Sequence, residues 1–159
     1  MPAVGATLAL TTGHIIGDHV MQFVELEDQM RKSSLVTYRQ YNQVPATSGV
    51  YAAWLEGESR CLYIGKAGNT PNGNLKKRIS AHFSGQRGSD QFCLYVYDVY
   101  LYKERCEADM PMTTQQVNKM TADWIRRRVK FQFVELSTDE CGSAERELQR
   151  RWHPILLMK

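Results

Sequence analysis

Residues 49–67 read GVYAAWLEGESRCLYIGKA, and this stretch decides the fold. The apolar run Val50–Leu55 predicts a buried strand, and Glu56–Ser59 predicts a turn. Arg60–Ile64 then returns as a second strand. Because the connection is so short, the two strands are expected to pair as a hairpin.

A helix is predicted directly after this hairpin. Asn74 is a good N-cap, and the helix runs from Leu75 to about Ser84. Its apolar stripe consists of Leu75, Ile79 and Phe83, which recur at four-residue spacing. The loop Ser84–Ser89 behind it is polar and could either contact a nucleic-acid backbone or simply connect two elements.

Further helices and a third strand complete the predicted fold. Residues 21–41 suggest an N-terminal helix or helix pair, and residues 91–102 fit either a strand or a helix, of which we favour the helix. Thr113 or Thr114 can cap a helix that reaches Val129, and Phe131–Leu136 reads as the third strand. Asp139 or Ser143 can begin the last helix, which Pro154 ends. The predicted class is α/β (α+β), with a small three-stranded mixed or antiparallel sheet flanked by helices.

Length and composition favour one ordinary globular domain over residues 1–159. A chain of 159 residues can bury about two-thirds of the surface that it exposes when unfolded. With 43% hydrophobic and 23% charged residues, it is typical neither of a disordered tail nor of a membrane protein. No run is long enough to span a bilayer and the N-terminus does not resemble a secretory signal, so a cytoplasmic location is expected.

The four cysteines and the two histidines near the N-terminus do not predict a metal site. The four cysteines are spread without a CxxC pair, which favours reduced, structural thiols. His14, Asp18 and His19 lie close together, but nothing near them supplies the remaining ligands. The net charge of +3 is modest, whereas its clustering at 76–78, 126–130 and 150–151 is more informative.

Two predicted helices carry charged residues at the edge of their apolar stripes. Arg78 and His82 are four residues apart and share one face of the first helix. On the last helix, Glu145 lies about 50° from the centre of the stripe and Glu147 about 110° away. Arg78, His82 and Glu145 could therefore meet on one surface. By spacing alone, a plain Arg–Glu ion pair is as good an interpretation as a catalytic site.

The order of motifs adds a family resemblance. Gly49-Val50-Tyr51 and Tyr63-Ile64-Gly65 resemble the paired tripeptides of the GIY-YIG nucleases. The run Tyr63–Ala67, then Leu75–Arg78, then His82-Phe83 is similar to the nuclease domain of the bacterial excision-repair incision protein. Histidine at position 82 is shared with restriction-type GIY-YIG enzymes, whereas the repair protein has tyrosine there.

The resemblance also divides the chain. It covers a core of about 49–154, preceded by an N-terminal extension (1–48) and interrupted by a helical insertion at about 90–128. Glu145 stands nine residues before Pro154, which is the family's spacing between its metal-binding glutamate and a following proline. Leu157 is a departure, because many members have an asparagine there that helps to order the site.

The resemblance implies a DNA endonuclease that hydrolyses phosphodiester bonds with one divalent ion, Mg²⁺ or Mn²⁺. Glu145 would bind the ion, Arg78 would stabilise the transition state, and Tyr63 would orient water or phosphate. Tyr51 would activate water, with His82 as proton acceptor and Arg78 or Lys66 favouring its phenolate. Lys66, Lys76, Lys77 and Arg87 are the candidate DNA-binding cations.

Two other functions remain open from the sequence. One is a catalytically weak or inactive GIY-YIG-fold module that binds nucleic acid, and the other is an interaction domain in which Arg78 and Glu145 are structural. The role in restriction, repair or mobile DNA is undecided. Strong sequence specificity would require the N-terminal segment, the insertion or a homodimer.

Overall fold

A computed structural model describes residues 23–71, 73–107 and 110–156. The predicted features at His14, Asp18, His19 and Leu157 lie outside these residues.

The sheet is built around the predicted hairpin. Strand β1 (Gly49–Leu55) pairs with β2 (Cys61–Ala67), and with β3 (Val129–Glu135) on its other side. Both pairings are antiparallel and the order is β2-β1-β3. The predicted three-stranded sheet is thus confirmed, and of the two alternatives, mixed and antiparallel, the sheet is antiparallel.

All three strands have bounds that differ from those predicted, and β1 begins one residue earlier, at Gly49. β2 continues to Ala67 because Gly65 pairs with Tyr51 and Ala67 with Gly49, so the partner strand holds it extended. β3 begins at Val129, directly after the preceding helix, because Val129 pairs with Leu55 at the far end of β1. Partners in the sheet, rather than local composition, fix these ends.

Helices surround the sheet on both faces. Helix α1 covers residues 23–32 of the described chain, and a 3₁₀ helix follows at Tyr38–Gln43. The remaining helices are α2 (Leu75–Ser84), α3 (Gln91–Val96), α4 (Tyr102–Cys106), α5 (Thr114–Arg128) and α6 (Thr138–Trp152). A π-helical turn, Tyr97–Leu101, joins α3 to α4, so the ambiguous stretch after residue 90 is helical, as favoured.

The last helix begins earlier than either predicted start. Ser137 is its N-cap and forms a capping box with Glu140, whereas Asp139 and Ser143 lie inside the helix. The apolar stripe predicted for this helix is Cys141, Ala144, Leu148 and Trp152; the first three are buried, and Trp152 is half-buried.

The two faces of β1 serve two separate cores. Tyr51, Ala53 and Leu55 pack with the side of the sheet covered by α2, α3 and α5. Val50 and Ala52 pack on the opposite side with residues of α6 and α1. Strand alternation therefore sends Tyr51 toward α2.

α6 lies along the outer edge of β2. The Gln149 side-chain amide donates to the Ile64 carbonyl, and the backbone N–H groups of Ile155 and Leu156 donate to the carbonyls of Cys61 and Leu62. These contacts satisfy edge carbonyls that would otherwise face solvent. They also bring the side chains of α6 beside those of β2.

Within the described part of the chain, none of the helices is long and apolar enough to cross a membrane.

Candidate active site

Tyr51 lies at the centre of the site, with its side chain fully buried. It points from β1 to the face that α2 covers, directly beside Gly65 of the paired strand. A Cβ at position 65 would overlap the Tyr51 hydroxyl. The glycine of the second tripeptide therefore makes room for the tyrosine of the first.

The Tyr51 hydroxyl forms a hydrogen bond with His82. The distance from Tyr51 Oη to His82 Nε2 is 2.7 Å, and His82 is 1% exposed. α2 directs His82 to this position because it lies on the same side as the buried residues Leu75, Ile79 and Phe83. The predicted pairing of Tyr51 with His82 is thus present.

Asp90 holds the other nitrogen of the His82 ring. The distance from His82 Nδ1 to Asp90 Oδ2 is 2.7 Å, and the Asp90 side chain is 4% exposed. Oδ1 of the same carboxylate accepts the backbone N–H of Cys93, so Asp90 is also the N-cap of α3. Sequence reasoning placed Asp90 only at the start of the insertion and assigned it no role in the site.

The sequence around Asp90 indicates a helix cap but not a place in the site. An aspartate before the apolar run Phe92–Val96 is typical of an N-cap, but nothing in that pattern indicates contact with His82. The contact depends on the chain reversal after α2. Gly85 ends α2 with a φ of 71°, and a side chain there would overlap backbone atoms of Asn118 and Ala122.

Burial and hydrogen bonding together set the protonation of Tyr51 and Asp90. It raises the pKa of Tyr51 well above the ordinary value, the charges of Tyr63 and Asp90 act in the same direction, and Arg78 opposes them. Burial also tends to raise the pKa of Asp90, but its hydrogen bond to His82 and the Cys93 N–H bring it below the usual value. Asp90 is therefore ionised at neutral pH, while Tyr51 keeps its proton.

This result corrects the expectation that nearby cations favour a phenolate at Tyr51. Arg78 does act in that direction, but desolvation in the closed site outweighs it. Lys66 instead pairs with Glu145. Tyr51 can therefore serve as a base only if its own proton leaves as it accepts one.

A cleft of about 600 Å³ opens between the end of β2, α2 and the first turns of α6, and α2 contributes Arg78 to its wall rather than the buried His82. Its walls include the cations Lys66, Arg78 and Arg146. Arg78 lies at the edge of the α2 stripe. It is exposed because its long side chain extends past the stripe into the cleft. Arg146 was not among the predicted residues.

Glu145 lies beside the cleft, where it contacts Lys66 of the cleft wall. Its carboxylate is 3.5 Å from Lys66 Nζ, and its side chain is 20% exposed. Burial and the neighbouring Glu145 charge raise the pKa of Tyr63. β1, β2, α2 and α6 thus bring Tyr51, Tyr63, Arg78, His82 and Glu145 into one region.

The donor set suits a metal ion only in part. The described residues contain no group of three or more His, Cys, Asp or Glu side chains that could hold an ion. Magnesium, however, commonly takes one or two carboxylates and completes its shell with water and substrate phosphate. Glu145 at the cleft fits an ion that is shared with a phosphate, and it does not fit a site made by protein alone.

The predicted DNA-binding cations differ in whether their charged groups already contact other parts of the protein. Lys77 is exposed, whereas the Lys76 ammonium donates to the Asn42 carbonyl. Arg87 is held by Asn118 and lies over the ring of Tyr97, 4.3 Å from its centroid. Several other clustered arginines contact the protein itself: Arg126 lies over Tyr38, and Arg150 and Arg151 bind Glu147.

Comparison with known families agrees with this geometry. The GIY-YIG catalytic domain model matches residues 35–159, which is most of the chain. The chain therefore belongs to the GIY-YIG family, a family of nucleases. A search of curated proteins gives no significant match.

Proposed function

We propose that the protein is a metal-dependent DNA endonuclease that hydrolyses phosphodiester bonds in the cleft beside β2. The observation that carries this proposal is the buried Tyr51–His82 hydrogen bond of 2.7 Å, next to a cleft lined by Lys66, Arg78 and Arg146. A hydroxyl–imidazole pair can take a proton from water, and the cations can bind the phosphate that this water attacks.

Water activation requires coupled proton transfer. Because Tyr51 is protonated, its hydroxyl accepts the proton of the attacking water while its own proton passes to His82 Nε2. The water oxygen bonds to phosphorus, the bond from phosphorus to one sugar oxygen breaks, and that oxygen takes a proton from solvent. Tyr51 is restored when His82 returns the proton or releases it to water.

Arg78 stabilises the charge that develops on the phosphate. Its guanidinium stays ionised, since burial alone would lower its pKa but Tyr51 and Asp90 raise it above the ordinary value. A planar fork of N–H donors can hold two equatorial oxygens, which a lysine cannot do. The Tyr63 ring centroid is 6.3 Å from that of Tyr51, and the Tyr63 phenol is suited to orient water or phosphate.

Glu145 is the residue that would hold Mg²⁺ or Mn²⁺, together with a phosphate oxygen and water. When bound, such an ion supplies Lewis-acid polarisation of the phosphate and stabilises the leaving oxygen. The Lys66 ammonium balances the charge of the Glu145 carboxylate, and a substrate phosphate can attract this ammonium away from Glu145.

A substrate and metal panel tests the proposed function. Plasmid, single-stranded DNA and RNA are each incubated with the protein in magnesium, manganese or excess chelator. Nicked or linear plasmid with either metal, and none with chelator, is expected. Undiminished cutting in chelator would contradict the one-metal mechanism. Binding without cutting under every condition would favour the inactive nucleic-acid-binding module, and no affinity at low salt would favour the interaction domain.

A further inference from the structure

We propose that Asp90 is a positioning residue that fixes the proton of His82 on Nδ1, so that Nε2 is free to accept the proton of Tyr51. This inference rests on the proposed function and adds a residue from the insertion to its site. The Asp90 side chain is 4% exposed and its two oxygens contact His82 Nδ1 and the Cys93 N–H, so it acts through His82 and does not touch substrate.

The contact with Asp90 fixes the tautomer of His82. A neutral imidazole carries one proton, and its other nitrogen is an acceptor. Asp90 is ionised and can only accept hydrogen bonds, so the 2.7 Å contact requires a proton on His82 Nδ1. The lone pair on Nε2 then faces the Tyr51 hydroxyl at 2.7 Å, which is the direction that water activation needs.

Asp90 also balances the positive charge that forms on His82 during the proposed reaction. When His82 accepts the Tyr51 proton, it becomes an imidazolium inside an apolar enclosure. Its ring centroid is 4.8 Å from that of Phe92 and 5.8 Å from that of Phe131. An isolated buried cation is costly, and the adjacent Asp90 carboxylate offsets that cost.

The groups that face His82 come from every side of the enclosure. Tyr51 and Tyr63 face it from the sheet, and Asp90 faces it from the start of α3. The Cys93 thiol donates to the His82 carbonyl rather than to the ring, and burial raises the pKa of that thiol. Among these groups, Asp90 is the one that is ionised at neutral pH and contacts Nδ1.

The two oxygens of Asp90 have separate partners, and this makes a discriminating variant available. In Asp90→Asn, the amide oxygen can still accept the Cys93 N–H, and asparagine is among the best N-caps. The amide NH₂ then faces His82 Nδ1 and donates to it, which moves the ring proton to Nε2. The variant therefore keeps the helix cap and reverses the tautomer.

Two measurements on the full chain test the proposal. Nitrogen NMR shifts of the His82 ring should report a proton on Nδ1 in the wild type and on Nε2 in Asp90→Asn. Single-turnover cleavage of plasmid DNA should fall about 10²- to 10⁴-fold in Asp90→Asn. In a Tyr51→Phe background, Asp90→Asn should cause no further loss of cleavage, because phenylalanine has no hydroxyl proton for His82 to accept.

Thr113→Ala provides the matched control, since Thr113 caps α5 in the same insertion and its side chain accepts the Gln116 N–H. Cleavage by this variant should stay within a few-fold of wild type at a temperature where both are folded. The same tautomer in wild type and Asp90→Asn, or full cleavage by Asp90→Asn, would overturn the proposal. If wild type cuts no DNA, the proposed function fails, while the NMR shifts still decide whether Asp90 sets the proton on His82.

Discussion

Tyr51 is a core residue that, in the proposed mechanism, also activates water. Its ring is fully buried among the aromatic side chains of Tyr63, His82 and Phe131. A buried hydroxyl needs a partner, and His82 Nε2 supplies it. In the proposed mechanism, stability and proton transfer therefore depend on the same hydrogen bond.

Gly65→Ala should damage the site through Tyr51. The added methyl would overlap the Tyr51 hydroxyl and approach the Tyr63 ring, so β2 or the phenol must move. Overpacking of this kind costs about 1–3 kcal/mol of unfolding free energy. Thermal unfolding should show a lower Tm, and cleavage should be largely lost even where the variant is folded.

Gly88→Ala is the control for this change, because an added Cβ there meets nothing within 4 Å. Its Tm and its cleavage rate should match wild type. A Gly65→Ala enzyme that is as stable and as fast as Gly88→Ala would show that Tyr51 does not occupy this position.

Residue spacing predicted part of the site and not the rest. Arg78 and His82 could be paired in advance because a regular helix brings residues four apart to one face. Asp90 could not, because its position depends on the reversal at Gly85 and on the packing of α2 against α5. Local periodicity carries no information about such a return of the chain.

α6 separates two glutamates that are neighbours in sequence. Glu145 and Glu147 each have a side chain that is 20% exposed, but Glu145 faces Lys66 at the cleft and Glu147 binds Arg150. The hydrogen bonds of Arg150 and Arg151 lower the pKa of Glu147 to about 2. Their separation follows from helical geometry, since directions two residues apart differ by about 160°.

Glu145→Gln should therefore abolish cleavage and metal affinity while DNA binding is largely kept. Glu147→Gln should cut within a few-fold of wild type and lose at most about 1 kcal/mol of unfolding free energy with its surface ion pairs. Cleavage, DNA binding and manganese titration of both variants provide the comparison. Loss of cleavage only in Glu147→Gln would place the metal ligand on the other side of α6.

The ends of elements were harder to predict than their existence. The start of α6 was missed although Ser137 and Glu140 form a capping box that the sequence displays. Residues 91–102 were ambiguous because Val and Tyr favour strands, and tertiary packing of Phe92, Val96 and Leu101 holds them helical. The sequence shows that this stretch is rich in apolar residues, but packing in the folded protein decides whether they form a strand or a helix.

For the molecule as a whole, the position of its charges matters more than their sum. The net charge is only +3. Arg126, Arg150 and Arg151 contact other groups of the protein, whereas Arg78 and Arg146 line the cleft. The clusters visible in the sequence are therefore not equivalent as phosphate ligands.

Salt dependence should distinguish these two kinds of arginine. Arg146→Ala should reduce the slope of log affinity against log salt by about 0.9 for duplex DNA, because one phosphate contact is lost. Arg150→Ala, on the same helix, should leave the slope unchanged, since Arg150 binds Glu147. DNA binding measured over a series of salt concentrations provides both slopes. Equal slopes for the two variants would mean that DNA does not enter the cleft.

Single-turnover cleavage of plasmid DNA by wild type and Tyr51→Phe, measured in magnesium beside DNA affinity, tests most directly whether the buried Tyr51–His82 pair activates water. The exchange removes one hydroxyl and its 2.7 Å hydrogen bond to His82 and keeps the ring. Cleavage by Tyr51→Phe should fall about 10²- to 10⁴-fold with DNA affinity unchanged. A Tyr51→Phe enzyme that binds and cuts as fast as wild type would contradict this role and assign water activation to another group.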